Sequence, residues 1–586
     1  MLVSACRHRV SGAFAVLLTV LVLAACSGVP TTSVPQVVRT VDASGDAGTS
    51  PIVTPDVNAE PRDIVSGFLQ ANVSNDETHP AARQFLAPAA RAKWSATTAT
   101  IVSDYLVGLQ NPKTNIVKVT APVLGTLDDK GIYTPAPPDA AVQAPRVIPF
   151  KMLHTAAGWR ITDPPVGLII KKQDFATAYS LRPMYFFNLT ETKLVPDLRY
   201  SAAEGQSLAT WALTQLLAGP QSGQQTVRLN EFPDQVDPLR AKVVSGRPVS
   251  VQLPGISQVD AATVARVAAQ LAYTFDSFLP GAKLTLVDGL TPVQFPNIPA
   301  QFSESDFASV DPVADESGQS VYFLRGGALF GARGQAVPGP TGTSRYHLRS
   351  VAVSDAGDGS PVRIAGLASD ASLLLVGTQT AGLRSTALPA PATSRPEWTH
   401  DNPREVWIGA GTRLERVADG VARRVLFTAT QSVELTGRRV VAVRFSPEGA
   451  RVALVLRGAD GSSSAWIGQV LRAADSVQVV DLRQITPLTW HVTDVAWADA
   501  VRLRVIDNAP GSADFSIWSL RADGSDARDS AGADGLPGVP QWITASPDGA
   551  AWVSINDTLW VEAFDGGWSP PFGSRQQNGV GPVYAS

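Results

Sequence analysis

Cysteine is nearly absent from this chain of 586 residues, which holds only Cys6 and Cys26. This scarcity excludes a disulfide-stabilised scaffold, a cysteine-ligated zinc site and a cysteine nucleophile anywhere beyond residue 26. The body of the protein must therefore fold by ordinary core packing. A hydrophobic share of 44% and a charged share of 17% allow that, and the length indicates several domains.

An excess of basic charge is also missing, because 48 Lys and Arg residues face 52 Asp and Glu residues. A net charge of −4 provides no field for a phosphate backbone, so no nucleic-acid partner is expected. The acidic stretch at 523–529 lacks the ligand spacing of a calcium loop, and we interpret it as a solvated loop.

Catalytic motifs are missing as well. The sequence contains no Gly-x-Ser-x-Gly, no Ser-x-x-Lys, no His-Glu-x-x-His and no phosphate loop, and its histidines are widely spread. We therefore expect no catalytic residue, no metal and no cofactor. A site that the fold assembles from separate segments stays open as an alternative.

The N-terminus has the order of a secretory signal peptide: basic residues at 7–9, an apolar run at 10–23, then small residues. The run is shorter than the roughly 20 residues that span a membrane. Its end, Leu23-Ala24-Ala25-Cys26, resembles a bacterial lipobox, which is cut before the cysteine. Residues 1–25 are thus predicted to be removed, and Cys26 to carry S-diacylglyceryl and N-acyl groups.

Residues 26–59, rich in Pro, Ser, Thr and Gly, are predicted to form a flexible linker with a typical reach of roughly 30 Å. Residues 60–180 show helical periodicity first and strand patterns afterwards, at 116–119, 146–153 and 159–161. This order predicts an α+β domain that resembles the NTF2-like fold.

Residues 181–295 begin with an aromatic strand at 184–187 and contain two helical patterns. One ends at Leu-Leu-Ala-Gly-Pro (216–220), and the other includes Ala-Gln-Leu-Ala-Tyr-Thr (269–274). With the Val-Asp-Gly strand end at 287–289, these features closely resemble the GerMN domain of sporulation and spore-germination proteins.

Residues 300–575 contain a strand-rich repeat, with a tail predicted at 576–586. Equivalent positions recur at Ser354, His400, Ser446, Ala498 and Ser546, a period of roughly 40–50 residues that is typical of propeller blades. We count about six blades, and a seventh can be assembled from poorly matching segments. Two near-identical turns are predicted to be structural, and their key residues are Ser446, Pro447, Gly449, Ser546, Pro547, Asp548 and Gly549.

The lipobox, linker, NTF2-like segment, GerMN-like segment and propeller, in this order, resemble the actinobacterial LpqB lipoprotein family. The resemblance implies a non-catalytic lipoprotein, anchored at the extracytoplasmic face of the cell membrane. It also implies binding to the extracytoplasmic domain of the sensor histidine kinase of the Mtr two-component system, with effects on cell division and envelope homeostasis. Two alternatives stay open: a lipoprotein that binds the cell wall, and a propeller-type envelope hydrolase.

Overall fold

The computed structural model describes residues 55–585, except for the short gaps 75, 77, 138–143, 222, 314–319, 356–359, 429–434, 531, 547–549, 564 and 572–576. The predicted signal peptide, Leu23, Ala24, Ala25 and Cys26 lie outside the described residues, as does nearly all of the linker. Residues 54–586 form one compact unit.

The N-terminal domain is α+β, as the sequence predicts. Proline occupies the first position of its first three helices, where its missing N–H costs no helical hydrogen bond. Its helices are α1 Pro61–Ala71, α2 Pro80–Arg83, α3 Pro88–Lys93 and α4 Lys172–Ala178. Its strands are β1 Ala99–Val102, β2 Leu106–Val107, β3 Ile116–Ala121, β4 Val123–Leu127, β5 Tyr133–Pro135, β6 Arg146–Thr155, β7 Gly158–Asp163 and β8 Leu168–Lys171.

Two four-stranded sheets organise this domain, in the orders β5-β4-β1-β8 and β2-β3-β6-β7. Helix α1 buries Ile64, Val65, Phe68 and Leu69 in their shared core, where Phe68 meets Trp94 edge to face at 5.3 Å. In strand β6, buried and exposed residues alternate over positions 147–152, so only one face of the β2-β3-β6-β7 sheet is covered.

The second domain has the predicted order of strands and two helices. Its helices are α5 Gly205–Ala218, which ends at Gly219, and α6 Ala261–Asp276, which Asp260 caps. Its strands are β9 Ser180–Leu181, β10 Met184–Phe187, β11 Leu194–Asp197, β12 Tyr200–Ser201, β13 Lys242–Val244, β14 Val249–Gln252, β15 Leu284–Asp288 and β16 Thr291–Pro292. The core of this domain extends past the predicted boundary at 295, since Phe302 is buried in it and bridges to Leu284.

Six sheets follow in the described part of residues 321–584. All but the first are built mainly from consecutive antiparallel strands. The strands of the first three sheets are β17 Val321–Arg325 and β18 Ala328–Gly331; β19 Ser350–Ser354, β20 Arg363–Leu367, β21 Leu373–Thr378 and β22 Gly382–Ala387; β23 Glu397–Trp398, β24 Glu405–Ala410, β25 Arg413–Ala418 and β26 Val421–Arg424.

The fourth sheet has five strands, because the short strand β27 joins its outer edge in parallel with β31. The strands of the last three sheets are β27 Leu426–Phe427, β28 Arg439–Phe445, β29 Arg451–Arg457, β30 Ser463–Arg472 and β31 Val477–Gln484; β32 Val492–Trp497, β33 Arg502–Asp507, β34 Ser516–Arg521 and β35 Arg528–Asp529; β36 Trp542–Ala545, β37 Ala551–Ile555, β38 Thr558–Glu562 and β39 Trp568–Ser569.

The first sheet is completed from the far end of the chain. Strand β40, Val580–Tyr584, pairs antiparallel with β17, giving the order β18-β17-β40. The predicted tail at 576–586 is therefore wrong for these residues, because they supply ladder hydrogen bonds to a buried strand. Tyr584 also donates its backbone N–H to the Thr544 hydroxyl of the sixth sheet. The first strands of successive sheets contact one another from β19 to β36, and β40 contacts both β36 and β19, so the six sheets close into a ring.

The repeat period has a simple structural origin. Strands β19, β23, β28, β32 and β36 each begin a sheet, and each ends at or within two residues of a repeat position identified in the sequence. The repeated residues thus lie at or just after the C-terminal ends of equivalent strands.

Candidate functional site

The turn that contains Ser446 forms a buried hydrogen-bonded junction between sheets. The Ser446 hydroxyl donates to Glu448 Oε1 at 2.6 Å and accepts the backbone N–H of Arg451 at 3.1 Å. Gly449 takes a positive φ of 72°, which a side chain would strain, and the Pro447 carbonyl lies 3.1 Å from His400 Nδ1. These contacts are those of a structural turn.

Arg451, which no sequence motif identifies, connects this turn to the next sheet. Its Nε lies 2.6 Å from Glu448, its Nη2 donates to the Ala500 carbonyl at 2.5 Å, and its guanidinium lies 4.9 Å from the Trp497 ring centroid. The second turn is described only in part. Ser546 is buried and its backbone N–H donates to the Ala550 carbonyl at 3.2 Å, whereas Pro547, Asp548 and Gly549 lie outside the described residues.

A charged cluster lies where the first strands of the sheets converge. Asp494 is buried and accepts Arg395 Nη2 at 2.7 Å, Arg444 Nη2 at 3.0 Å and the backbone N–H of Ile543 at 3.0 Å. Arg395 also donates to the Pro582 carbonyl of the strand that closes the ring. Because four sheets contribute to one carboxylate, this cluster holds the ring together.

Beside this cluster is a cavity of about 70 Å³, lined by residues that include Arg395, Glu397, His400 and Tyr584. Burial raises the pKa of the Glu397 carboxyl to about 7, against the pull of Arg444, whose Nη1 lies 3.7 Å away. Burial lowers the pKa of His400. The cavity holds a few water molecules at most, too little for a substrate of ordinary size.

Stability is expected to depend on pH through Glu397. Between its ordinary pKa of 4.5 and about 7, the folded state keeps a proton that the unfolded state releases. The free energy of unfolding should therefore fall as pH rises through this window. We expect the free energy of unfolding of Glu397→Gln to exceed that of the wild type by about 1–2 kcal/mol at pH 8, with the difference vanishing below about pH 4, where Glu397 is protonated in both states. Urea titrations at several pH values measure this, and a difference independent of pH would contradict it.

Polar side chains also join the second domain to the fourth sheet. Gln224 Nε2 donates to Asp481 Oδ2 at 2.9 Å, and Arg228 Nη2 approaches Gln469 Oε1 at 3.4 Å. Burial lowers the pKa of Arg228 to about 10, although Asp197 lies 3.7 Å from it. Polar contacts this deeply buried hold two domains in one relative orientation.

The N-terminal domain meets the same region. Tyr200, whose backbone N–H donates to Gly131 of the N-terminal domain at 2.7 Å, hydrogen-bonds through its hydroxyl to Ser525. Gly524 has a positive φ of 84° and lies against Pro135. The acidic stretch at 523–529 is therefore not a purely solvated loop, because its first half is enclosed between domains, and burial raises the pKa of Asp523.

Among the residues that the structure describes, no three His, Cys, Asp or Glu side chains are grouped so as to hold a metal ion. The helices of that same part of the chain include none that is long and apolar enough to cross a bilayer.

Three family models match the chain, one for each folded segment. Residues 54–176 match the N-terminal domain of lipoprotein LpqB, residues 183–291 match the sporulation and spore germination domain, and residues 327–585 match the LpqB β-propeller domain. Lipoprotein LpqB of Mycolicibacterium smegmatis is 29% identical over 477 residues, covering 75% of this chain and 78% of the relative. The chain belongs to the LpqB lipoprotein family.

Other LpqB proteins give the same result. The relative from Rhodococcus opacus is 28% identical over 78% of this chain and 78% of its own length. The relative from Mycobacterium tuberculosis is 29% identical over 75% of this chain and 77% of its own length. Among solved structures, a chain of a nidogen/laminin complex aligns over 46% of this chain and 99% of its own, with 10% identity and a TM-score of 0.32. That likeness is too low to carry an argument about function.

Membership of the LpqB family makes this chain a lipoprotein with a C-terminal propeller, as its sequence predicts. The residues that sequence reasoning missed are the buried arginines Arg228, Arg395, Arg444 and Arg451. Arg444 and Arg451 have a weak sequence signal, a single arginine in an otherwise apolar strand or at its first residue, as in Val-Arg-Phe at 443–445, whereas Arg228 and Arg395 lie outside the strands.

Proposed function

We propose that this LpqB-family chain is a lipid-anchored, non-catalytic accessory protein that binds the extracytoplasmic domain of a sensor histidine kinase. The observation that carries the proposal is the joining of three domains into one compact unit by polar contacts such as the partly buried bond of Gln224 to Asp481. Such a body presents a large preformed surface. The kinase, that of the Mtr two-component system, comes from the family resemblance alone.

The anchor and the linker supply the physical advantage of this arrangement. A tether of roughly 30 Å confines the folded body near the bilayer, so its effective concentration against a membrane-embedded partner is far above its bulk concentration. A modest intrinsic affinity is then enough for occupancy. Regulation follows if the body binds one signalling state of the kinase better than the other, since only differential affinity shifts an equilibrium. Cell division and envelope homeostasis would be the processes affected.

A non-catalytic role agrees with the polar groups described above, which are engaged with one another. Asp494 is saturated by two arginines and a backbone N–H, and Glu448 is held by Ser446 and Arg451. Carboxylates bonded in this way are poorly placed to act as a general acid and base.

Binding to the kinase is expected to be measurable with purified components. The soluble fragment 54–586, which forms one compact unit, should bind an immobilised kinase extracytoplasmic domain with a Kd in the micromolar range or tighter, consistent with a transient interface of moderate area. Surface plasmon resonance with the cytoplasmic part of the kinase as the control surface measures this. Equal response on both surfaces, or none at concentrations near 100 μM, would count against the proposal.

A further inference from the structure

One face of the β2-β3-β6-β7 sheet is covered by the core of the N-terminal domain, and the opposite face is open to solvent. We call this open side the outer face, and it is made of Leu106, Ile116, Lys118, Thr120, Val147, Pro149, Lys151 and Leu153. The strand register fixes their positions, since Leu106 lies opposite Thr120, which in turn lies opposite Val147.

Large apolar side chains on this face are unusually exposed. Leu106 is 68% exposed, Val147 52% and Leu153 50%, and Leu109, in the loop after β2, is 80% exposed. Single exposed apolar residues are common on soluble proteins and need no explanation. Several of them on or beside one sheet face are a pattern that marks an interaction surface.

Positive charge accompanies these apolar residues. Lys118 and Lys151 lie on the outer face. Arg146 is the first residue of β6, and Lys113 lies in the turn before β3. Among the described residues, the ion pairs of this face have one acidic partner, Asp163, 2.8 Å from Lys151. Seven of the ten lysines of the chain lie between Lys93 and Lys172, whereas the whole chain is net negative.

The tether reaches the folded body beside this sheet. Gly158, at the turn between β6 and β7, lies directly against the backbone of Val57, and an added Cβ would stand 2.4 Å from the Val57 carbonyl oxygen. The chain that leads from Cys26 therefore meets the edge of the sheet that carries the outer face. About 30 residues separate the two points, a reach of roughly 30 Å.

We propose that the outer face of the β2-β3-β6-β7 sheet docks on the anionic lipid surface to which Cys26 anchors the chain. Leu106, Leu109, Val147 and Leu153 enter the headgroup region, while the lysines meet lipid phosphates. The neighbouring tether holds the face within reach of the bilayer, so a weak contact is enough. The outer face contains no propeller residue, so docking through it uses none of the propeller strands. The inference rests on the predicted anchor and is independent of the kinase.

Vesicle binding tests this inference. The soluble fragment 54–586 should cosediment with vesicles of phosphatidylcholine containing 30 mol% phosphatidylglycerol at low salt, and much less with phosphatidylcholine alone. One basic residue near an anionic surface is worth about a fivefold change in partitioning. We therefore expect Lys118→Glu with Lys151→Glu to lower the partition coefficient at least about tenfold. Leu106→Glu should lower it as well, and 1 M salt should release the wild-type fragment.

The second domain offers a matched control. Leu239 and Leu290 are 93% and 92% exposed, so Leu239→Glu with Leu290→Glu adds two acidic groups without touching the outer face. This control should bind vesicles like the wild type, and thermal unfolding should be the same for all variants. Equal losses in the control and the lysine variant, or no binding of the wild type to anionic vesicles, would overturn the inference. So would lysine variants that lose kinase binding but keep vesicle binding, since the face would then be a protein interface.

Discussion

Asp494→Ala is expected to lower the free energy of unfolding by about 3–5 kcal/mol. The substitution leaves the guanidinium groups of Arg395 and Arg444 buried without their shared carboxylate, 2.7 Å and 3.0 Å from its present oxygens. It also removes the acceptor of the Ile543 N–H. Urea unfolding followed by tryptophan fluorescence measures the loss.

The exposed carboxylate Asp163 provides the matched control. It also pairs with a cation, Lys151, at 2.8 Å, but its side chain is 62% exposed. Because solvent screens such a pair, Asp163→Ala should change the free energy of unfolding by no more than about 1 kcal/mol. Equal losses for the two variants would show that the Asp494 cluster does not hold the ring. Asp494→Asn, which keeps one acceptor, should fall between them.

Cys26→Ala is expected to abolish lipid attachment completely. Transfer of the diacylglyceryl group requires the thiol, and the predicted lipobox places Cys26 as its last residue, so the variant should accumulate as a precursor that keeps residues 1–25. Metabolic labelling with a fatty acid measures the first effect, and intact mass measures the second. The protein should also leave the membrane fraction if processed by other means, since it would lack the acyl chains.

Cys6 is the natural control for this experiment. It lies in the segment predicted to be removed, so Cys6→Ala should leave labelling, processing and membrane fractionation unchanged. Fatty-acid labelling that persists in Cys26→Ala would refute the lipobox assignment.

Local patterns in the sequence predicted the elements of the fold well. The helix that ends at Gly219, the helix capped by Asp260 and the alternation in β6 depend on residues close together in the chain. The propeller period was visible because equivalent strands end on similar turns, as at Ser446 and Ser546. A likeness to the NTF2 fold stays a prediction.

Local patterns in the sequence do not predict the long-range contacts. The bonds of Gln224 to Asp481 and of Arg395 to Asp494 join residues whose side chains give no local sign of their partners. Strand β40 lies in the predicted tail at 576–586, and Gly581 and Pro582 weaken its strand pattern. Pairing with β17 stabilises β40 as a strand, although its own residues do not predict one.

That pairing also sets the order in which the propeller can be completed. The first sheet begins at position 321, but its inner strand begins only at position 580, so the ring stays open until residues 580–584 are in place. The Asp494 cluster closes at the same late step, because Arg395 also bonds to Pro582. A chain that is made from its N-terminus thus holds an unfinished propeller, whose open edges stay exposed until the final strand arrives.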